Sequence, residues 1–151
     1  MNDIKEIIRC CNTKREKYNI LTFPTHERYE TQLAKTGHNF YSFSLKDGMK
    51  WNKEQTPVPE NYYMLPEDKI INWIDYDFIL IQSKFWQYQV SRQILEKLPI
   101  PTIVLEHTLP TPQTLKQEQI DTMRNMLGDT NVFISEYSKN EWLISDNAMV
   151  I

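Results

Sequence analysis

The stretch IVLEHTLPTP, residues 103–112, sets Glu106, His107 and Thr108 directly after an apolar, β-branched run and then stiffens the chain with Pro110 and Pro112. A neutral imidazole can take up or deliver a proton near neutral pH, a neighbouring carboxylate can orient it, and a hydroxyl can bind a substrate oxygen. Three more polar groups follow apolar runs in the same manner: Thr25-His26-Glu27-Arg28, Gln82-Ser83-Lys84 and Ser135-Glu136-Tyr137-Ser138. His26 and Arg28 suit an anionic group, although Arg28 reads equally well as a solvated residue at a helix start. Strand alternation leaves Glu106 open: if His107 faces a ligand, Glu106 faces away.

Strands must carry these clusters. NILTF (19–23), NFYSFS (39–44), DFILIQS (77–83), TIVLEH (102–107) and NVFIS (131–135) read as strands. Helices are expected between them. One spans about residues 1–17, with Ile4, Ile7, Ile8 and Cys11 as its buried stripe. HERYETQLAKTG ends at Gly37, the residue suited to a left-handed turn. PEDKIINWIDY (66–76) opens with proline and acids. The segment after Lys84 repeats Trp86, Val90, Ile94 and Leu98 at intervals of four, and a helix from about Thr114 carries Ile120, Met123 and Leu127. Ser138 with Glu141 forms a capping box for a last helix. Residues 45–66 read as a long loop with a short strand at Tyr62 to Leu65. Within that loop KDGMKWNK is either a phosphate- or sugar-binding segment or a solvated loop with one buried anchor.

Strands that read as continuous hydrophobic runs are buried on both faces. Their alternation with helices predicts an α/β fold, a single Rossmann-like domain over 1–151 with a doubly wound, mainly parallel sheet. In such sheets ligands bind outside the carboxyl ends of the strands, so the four polar clusters are expected on one edge.

Composition removes several classes. Seventeen Lys and Arg against twenty Asp and Glu give a formal charge of -3, without the basic face that nucleic acid requires, so no nucleic-acid partner is expected. The two cysteines, Cys10 and Cys11, are adjacent and can neither staple distant segments nor make a CxxC knuckle. Together with the lack of a secretory leader and of any apolar run near a membrane span's ~20 residues, this predicts a cytoplasmic protein with no transmembrane segment. His26, His38 and His107 show no metal-ligand spacing, so no metal is expected. P-loop, GxGxxG and GxSxG motifs are absent.

The stretches ILTFPTHERYETQLAKTGHNFYSF, DFILIQSKFWQYQV, IPTIVLEHTLPTP and NVFISEYSKNEW resemble the N-terminal, acceptor-binding half of GT-B glycosyltransferases of the group-one or subfamily-four-like type, including phage-encoded enzymes. The likeness spans roughly residues 18 to 145 and is most specific in the last two stretches. It implies a retaining sugar transfer from a nucleotide-sugar donor to an acceptor whose identity the sequence does not encode, with no further cofactor. His107 matches the histidine that lies near the acceptor hydroxyl and the transferred sugar, and is the implied catalytic residue. His26, Arg28, Lys84, Glu106, Thr108, Ser135, Glu136, Tyr137 and Ser138 are the implied substrate-binding residues. FPTHER lacks the family's glycine-rich loop, so no diphosphate-approach role carries over to it. The family's donor-binding domain has no counterpart here, which implies a second GT-B domain or chain as partner. The competing reading is a non-catalytic Rossmann-like binding or scaffold module, with Trp51, Tyr62, Tyr63, Phe85 and Trp86 as candidates for an exposed patch.

Overall fold

The computed structural model describes residues 16–151 apart from 46, 47, 68, 70, 83 and 127. The expected N-terminal helix lies, up to residue 15, outside the described residues, and Glu16 and Lys17 are bends. The strands are β1 (Asn19–Thr22), β2 (Asn39–Ser42), β3 (Tyr62–Met64), β4 (Phe78–Gln82), β5 (Thr102–Glu106), β6 (Thr130–Phe133) and β7 (Ala148–Val150). They form one all-parallel sheet in the order β3-β2-β1-β4-β5-β6-β7, flanked by four described α-helices. These are α1 (Glu27–Ala34), α2 (Phe85–Leu95), α3 (Gln117–Asn125) and α4 (Glu136–Glu141). The fold is therefore the expected Rossmann-like α/β class. No described helix is long and apolar enough to cross a membrane.

Along the chain the structure divides into two compact units, and the division falls within β4. The first takes in the described residues up to Ile79 together with Leu98–Ile100; the second comprises Leu80–Lys97 and Pro101–Ile151.

In the first unit β1 pairs with β2 from Asn19 opposite Asn39 to Thr22 opposite Ser42, and β2 pairs with β3 from Phe40 opposite Tyr62. Ile20, Leu21, Phe23, Phe40 and Tyr62 make its core. Asp77 fixes the start of β1: its carboxylate accepts from the Asn19 N–H at 2.7 Å, and its own N–H donates to the Asn19 carbonyl at 2.7 Å. Helix α1 ends as the sequence predicts, with Gly37 at φ +85°. The aromatic Trp51 is half-buried and donates its Nε1–H to the Thr56 carbonyl at 2.6 Å, so it anchors its loop, while Lys50 and Lys53 are exposed.

In the second unit β5 pairs with β6 and β6 with β7, around a core of Ile81, Tyr88, Val104, Met123, Phe133 and Trp142. Asp129 holds the start of β5, accepting from the Thr102 N–H at 2.8 Å. Gly128 is required by close approach: a Cβ there would stand 3.0 Å from the Thr102 carbonyl oxygen and 3.1 Å from a Val104 methyl.

Several expectations are corrected. Among the described residues, 66–76 holds only a 3₁₀ turn, Trp73–Asp75, in place of a helix. In α2 the buried residues are Gln87, Tyr88 and Ser91, whereas Trp86, Val90 and Ile94 are half-buried. The run of β4 is buried almost throughout, but β5 and β6 alternate buried with half-buried residues. The last helix is capped by Ser135, three residues ahead of the expected capping box, and β7 is an additional strand.

Helix α4 terminates at Leu143, whose φ of 56° is the left-handed conformation that a Cβ disfavours and that glycine usually supplies. The side chain is 76 % exposed, so its removal empties no core. Leu143→Gly is expected to stabilise the protein by about 1 kcal/mol, read as a raised urea midpoint; an unchanged or lower midpoint contradicts this.

Candidate functional site

The carboxyl end of β5 is built around a buried carboxylate. Glu106, 1 % exposed, lies on the same strand face as Thr102 and Val104. Its Oε1 accepts from the Thr108 N–H at 3.1 Å and the Thr108 hydroxyl at 2.7 Å, and its Oε2 accepts from the Tyr88 hydroxyl at 2.9 Å. Charge-assisted bonds of this kind fix the carboxylate in position. Burial first, and the adjacent Glu106 charge second, push the Tyr88 phenol well above its ordinary range, so it remains a donor.

His107, the first residue after β5, is half-buried. Burial lowers its proton affinity; the Glu106 charge opposes that shift and the Lys84 ammonium adds to it. The imidazole is thus neutral at physiological pH, able to accept a proton or a hydrogen bond. Lys84 is the exposed residue just before α2, and its charge acts on the ring. The neighbouring Gln82 N–H donates to the Gln87 side-chain oxygen at 2.7 Å, which ties the first turn of α2 to the end of β4.

The loop after β5 is held by Trp142, the C-cap of α4. Trp142, 1 % exposed, donates its Nε1–H to the Thr108 carbonyl at 2.9 Å. The Ser135 hydroxyl caps this helix by accepting from the Ser138 N–H at 3.0 Å, and Ser138 is itself buried. Glu136 and Tyr137 are exposed, and Glu136 pairs with Lys139 at 3.2 Å. Of the implied substrate residues in this unit, Glu106 and Thr108 bond to one another on either side of His107 in sequence and Lys84 acts on its ring by charge, whereas the Ser135 hydroxyl caps α4 through the Ser138 N–H.

The first unit repeats the same chemistry with different residues. Glu30, fully buried, accepts from the Thr25 N–H at 2.9 Å and the Thr25 hydroxyl at 3.0 Å on Oε1, and from the Tyr62 hydroxyl at 3.2 Å on Oε2. A threonine amide and hydroxyl on one oxygen and a tyrosine on the other are thus the set of donors used at Glu106. His26 is the N-cap of α1, its Nδ1 accepting from the Arg28 N–H at 3.2 Å, which places the ring proton on Nε2. The Arg28 side chain is exposed, in keeping with the solvated helix-start reading. Tyr29, beside Glu30, has its phenol pushed up to about 12 by burial and then by that charge.

Sequence reasoning did not single out Glu30, Tyr88 or Trp142. A glutamate in a first turn reads as a helix-dipole partner, and aromatic residues on a helix read as core. Of the five aromatic residues that read either as core or as candidates for an exposed patch, Tyr62 is buried, Trp51, Phe85 and Trp86 are half-buried, and Tyr63 is exposed. No group of three or more His, Cys, Asp or Glu side chains among the described residues is arranged to hold a metal ion.

The fold and the β5 end define a parallel Rossmann-like α/β protein with a histidine and a clamped carboxylate at a strand terminus. Comparison of the chain with protein-family models, curated proteins and solved structures gives no match.

The depressed proton affinity of His107 couples to stability. Because the folded ring binds its proton less readily than the unfolded one, the unfolded chain holds more protons below the ordinary histidine pKa of about 6.5. Stability therefore rises with pH up to about 6.5 and falls as the ring is forced to protonate below it. His107→Asn is expected to reduce the stability difference between about pH 5.5 and about pH 7.5 in urea unfolding; an unaltered difference contradicts the assignment.

Proposed function

We propose that this chain is the acceptor-binding half of a retaining, nucleotide-sugar-dependent glycosyltransferase, with the β5 end as its acceptor site and the donor held by a second GT-B domain or chain. The observation that carries the reading is the half-buried His107 at the end of β5, next to a Glu106 whose two oxygens are both held in place. A neutral imidazole accepts a hydrogen bond from an acceptor hydroxyl and fixes it for attack, while Lys84 offers positive charge to a departing phosphate. In this chemistry the nucleophile attacks on the face from which the nucleoside diphosphate leaves, so positioning supplies much of the rate. Glu106 and Thr108 act as positioning residues through the loop that carries His107.

The test is sugar transfer to methyl glycosides with the donor-binding half supplied in trans, followed by mass spectrometry. His107→Ala is expected to slow transfer by about 10²-fold. Transfer that is indifferent to this substitution rejects the role.

A non-catalytic binding module is the second reading, favoured by the exposed apolar side chains Ile134, Tyr137, Leu143 and Met149 in the second unit. Concentration-dependent sedimentation supports it; a protein that stays monomeric and captures no partner speaks against it.

A further inference from the structure

We infer that the first unit carries a second binding site, a groove for an uncharged saccharide, between the β3–β4 crossover and the sheet. The groove encloses about 370 Å³ and shares no residue with the β5 end. That volume lies at the lower end of small-ligand sites and suits one or two sugar rings.

Two tyrosines, Tyr41 and Tyr76, stand in its lining. Tyr41 on β2 stacks on Tyr63 of β3, with ring centroids 4.9 Å apart and planes 22° apart. This stack follows from the register, which sets the two residues opposite one another. Tyr76, just before β4, meets Tyr41 edge-on at 5.4 Å and 69°. Tyr76 is buried and Tyr41 half-buried, so the ring that is open to a ligand is that of Tyr63, 44 % exposed where it stacks on Tyr41 at the margin of the groove.

The polar groups around the groove match hydroxyls rather than a charged ligand. Asp75 supplies a carboxylate acceptor, Lys69 an ammonium donor, and Asn19 an amide at the start of β1. Asp75 and Lys69 are both exposed, and their charges cancel. The Tyr41 phenol is pushed up by burial, then by Tyr63 and Asp75; that of Tyr76 is pushed up by burial, then by Asp75 and Tyr41. Both therefore stay protonated as donors. A sugar presents an apolar C–H face to a ring and hydroxyls at its rim, so it uses both kinds of surface at once. A phosphate would meet the Asp75 carboxylate in the same groove, and like charges disfavour it.

The experiment is NMR of the full chain with ¹³C-labelled tyrosine rings, titrated with the methyl glycosides of glucose, galactose, mannose and N-acetylglucosamine. Saturable shifts of the Tyr41, Tyr63 and Tyr76 signals are expected with at least one glycoside. Asp75→Asn, a change at an exposed side chain, is expected to weaken that binding about tenfold, and Tyr41→Phe to weaken it by a smaller factor. The inference is overturned if none of the four glycosides moves these rings, if Asp75→Asn binds as well as the parent chain, or if adenosine or inorganic phosphate shifts the rings where glycosides do not. The tyrosine signals report on the groove and the His107 ring on the β5 end, so either site can fail without the other.

Discussion

Glu106→Ala is expected to lower the stability of the protein by about 3 kcal/mol, a fall in Tm of roughly 6–12 °C for a chain of this size. The carboxylate takes three donated hydrogen bonds in a site only 1 % exposed. Its removal leaves the Tyr88 hydroxyl and the Thr108 N–H and hydroxyl to be desolvated with no acceptor, which costs more than the net worth of the bonds. Glu106→Gln keeps the shape but turns an amide NH₂ toward one of these donors, so about half the loss is expected. It also removes the anion that raises the His107 proton affinity, so the ring should titrate lower still in this variant. Thermal unfolding of both variants checks the order; a Glu106→Ala chain as stable as the parent contradicts the clamp.

Trp142→Ala is expected to cost about 4 kcal/mol, because it empties the volume of a fully buried indole from the second unit. The same residue reaches the site: its Nε1–H holds the Thr108 carbonyl, while Arg124 donates to the Trp142 and Glu141 carbonyls at 3.1 and 3.0 Å. Trp142→Phe separates the two roles. It retains most of the packing, loses the indole donor, and is expected to cost about 2 kcal/mol. Hydrogen exchange at Thr108 and its neighbours should rise in this variant more than in the β5 strand itself. Equal exchange in parent and variant shows that the indole bond does not hold the loop.

Much of the sheet is legible in the chain because parallel strands leave apolar runs: NILTF, DFILIQS, TIVLEH and NVFIS all contain strands of the structure. Gly37 announced its turn because few other residues adopt φ near +85°. The misreadings share a physical origin. In α2 the period of four through Trp86, Val90 and Ile94 is real, yet the face pressed into the protein is Gln87, Tyr88 and Ser91, whose polar atoms bond to the Gln82 amide, to Glu106 and to a carbonyl of the helix itself. Apolar periodicity reports hydrophobic burial and is blind to polar groups that are buried with their partners. The capping box of Ser138 and Glu141 fails because the extended backbone lies at Ser135, whose hydroxyl takes the Ser138 N–H and leaves Ser138 inside the helix. β7 is three residues long, too short for a period to show. At the site, His107 and its neighbours at the end of TIVLE could be read directly, whereas Tyr88 and Trp142 reach it from helices distant in sequence, and only the fold brings them there.

The proposed role of the β5 end is directly measurable, because the chain has three histidines. His26 caps α1, and His38 packs edge-on to Tyr18 at 5.2 Å, both in the first unit. The measurement is ¹⁵N-resolved NMR of the three imidazoles during titration with methyl glycosides and with a nucleotide sugar. The His107 ring signals are expected to shift saturably, from a neutral starting state at pH 7, while those of His26 and His38 stay in place. A His107 ring that is already protonated at that pH, or that stays silent while His26 moves, contradicts the proposed role.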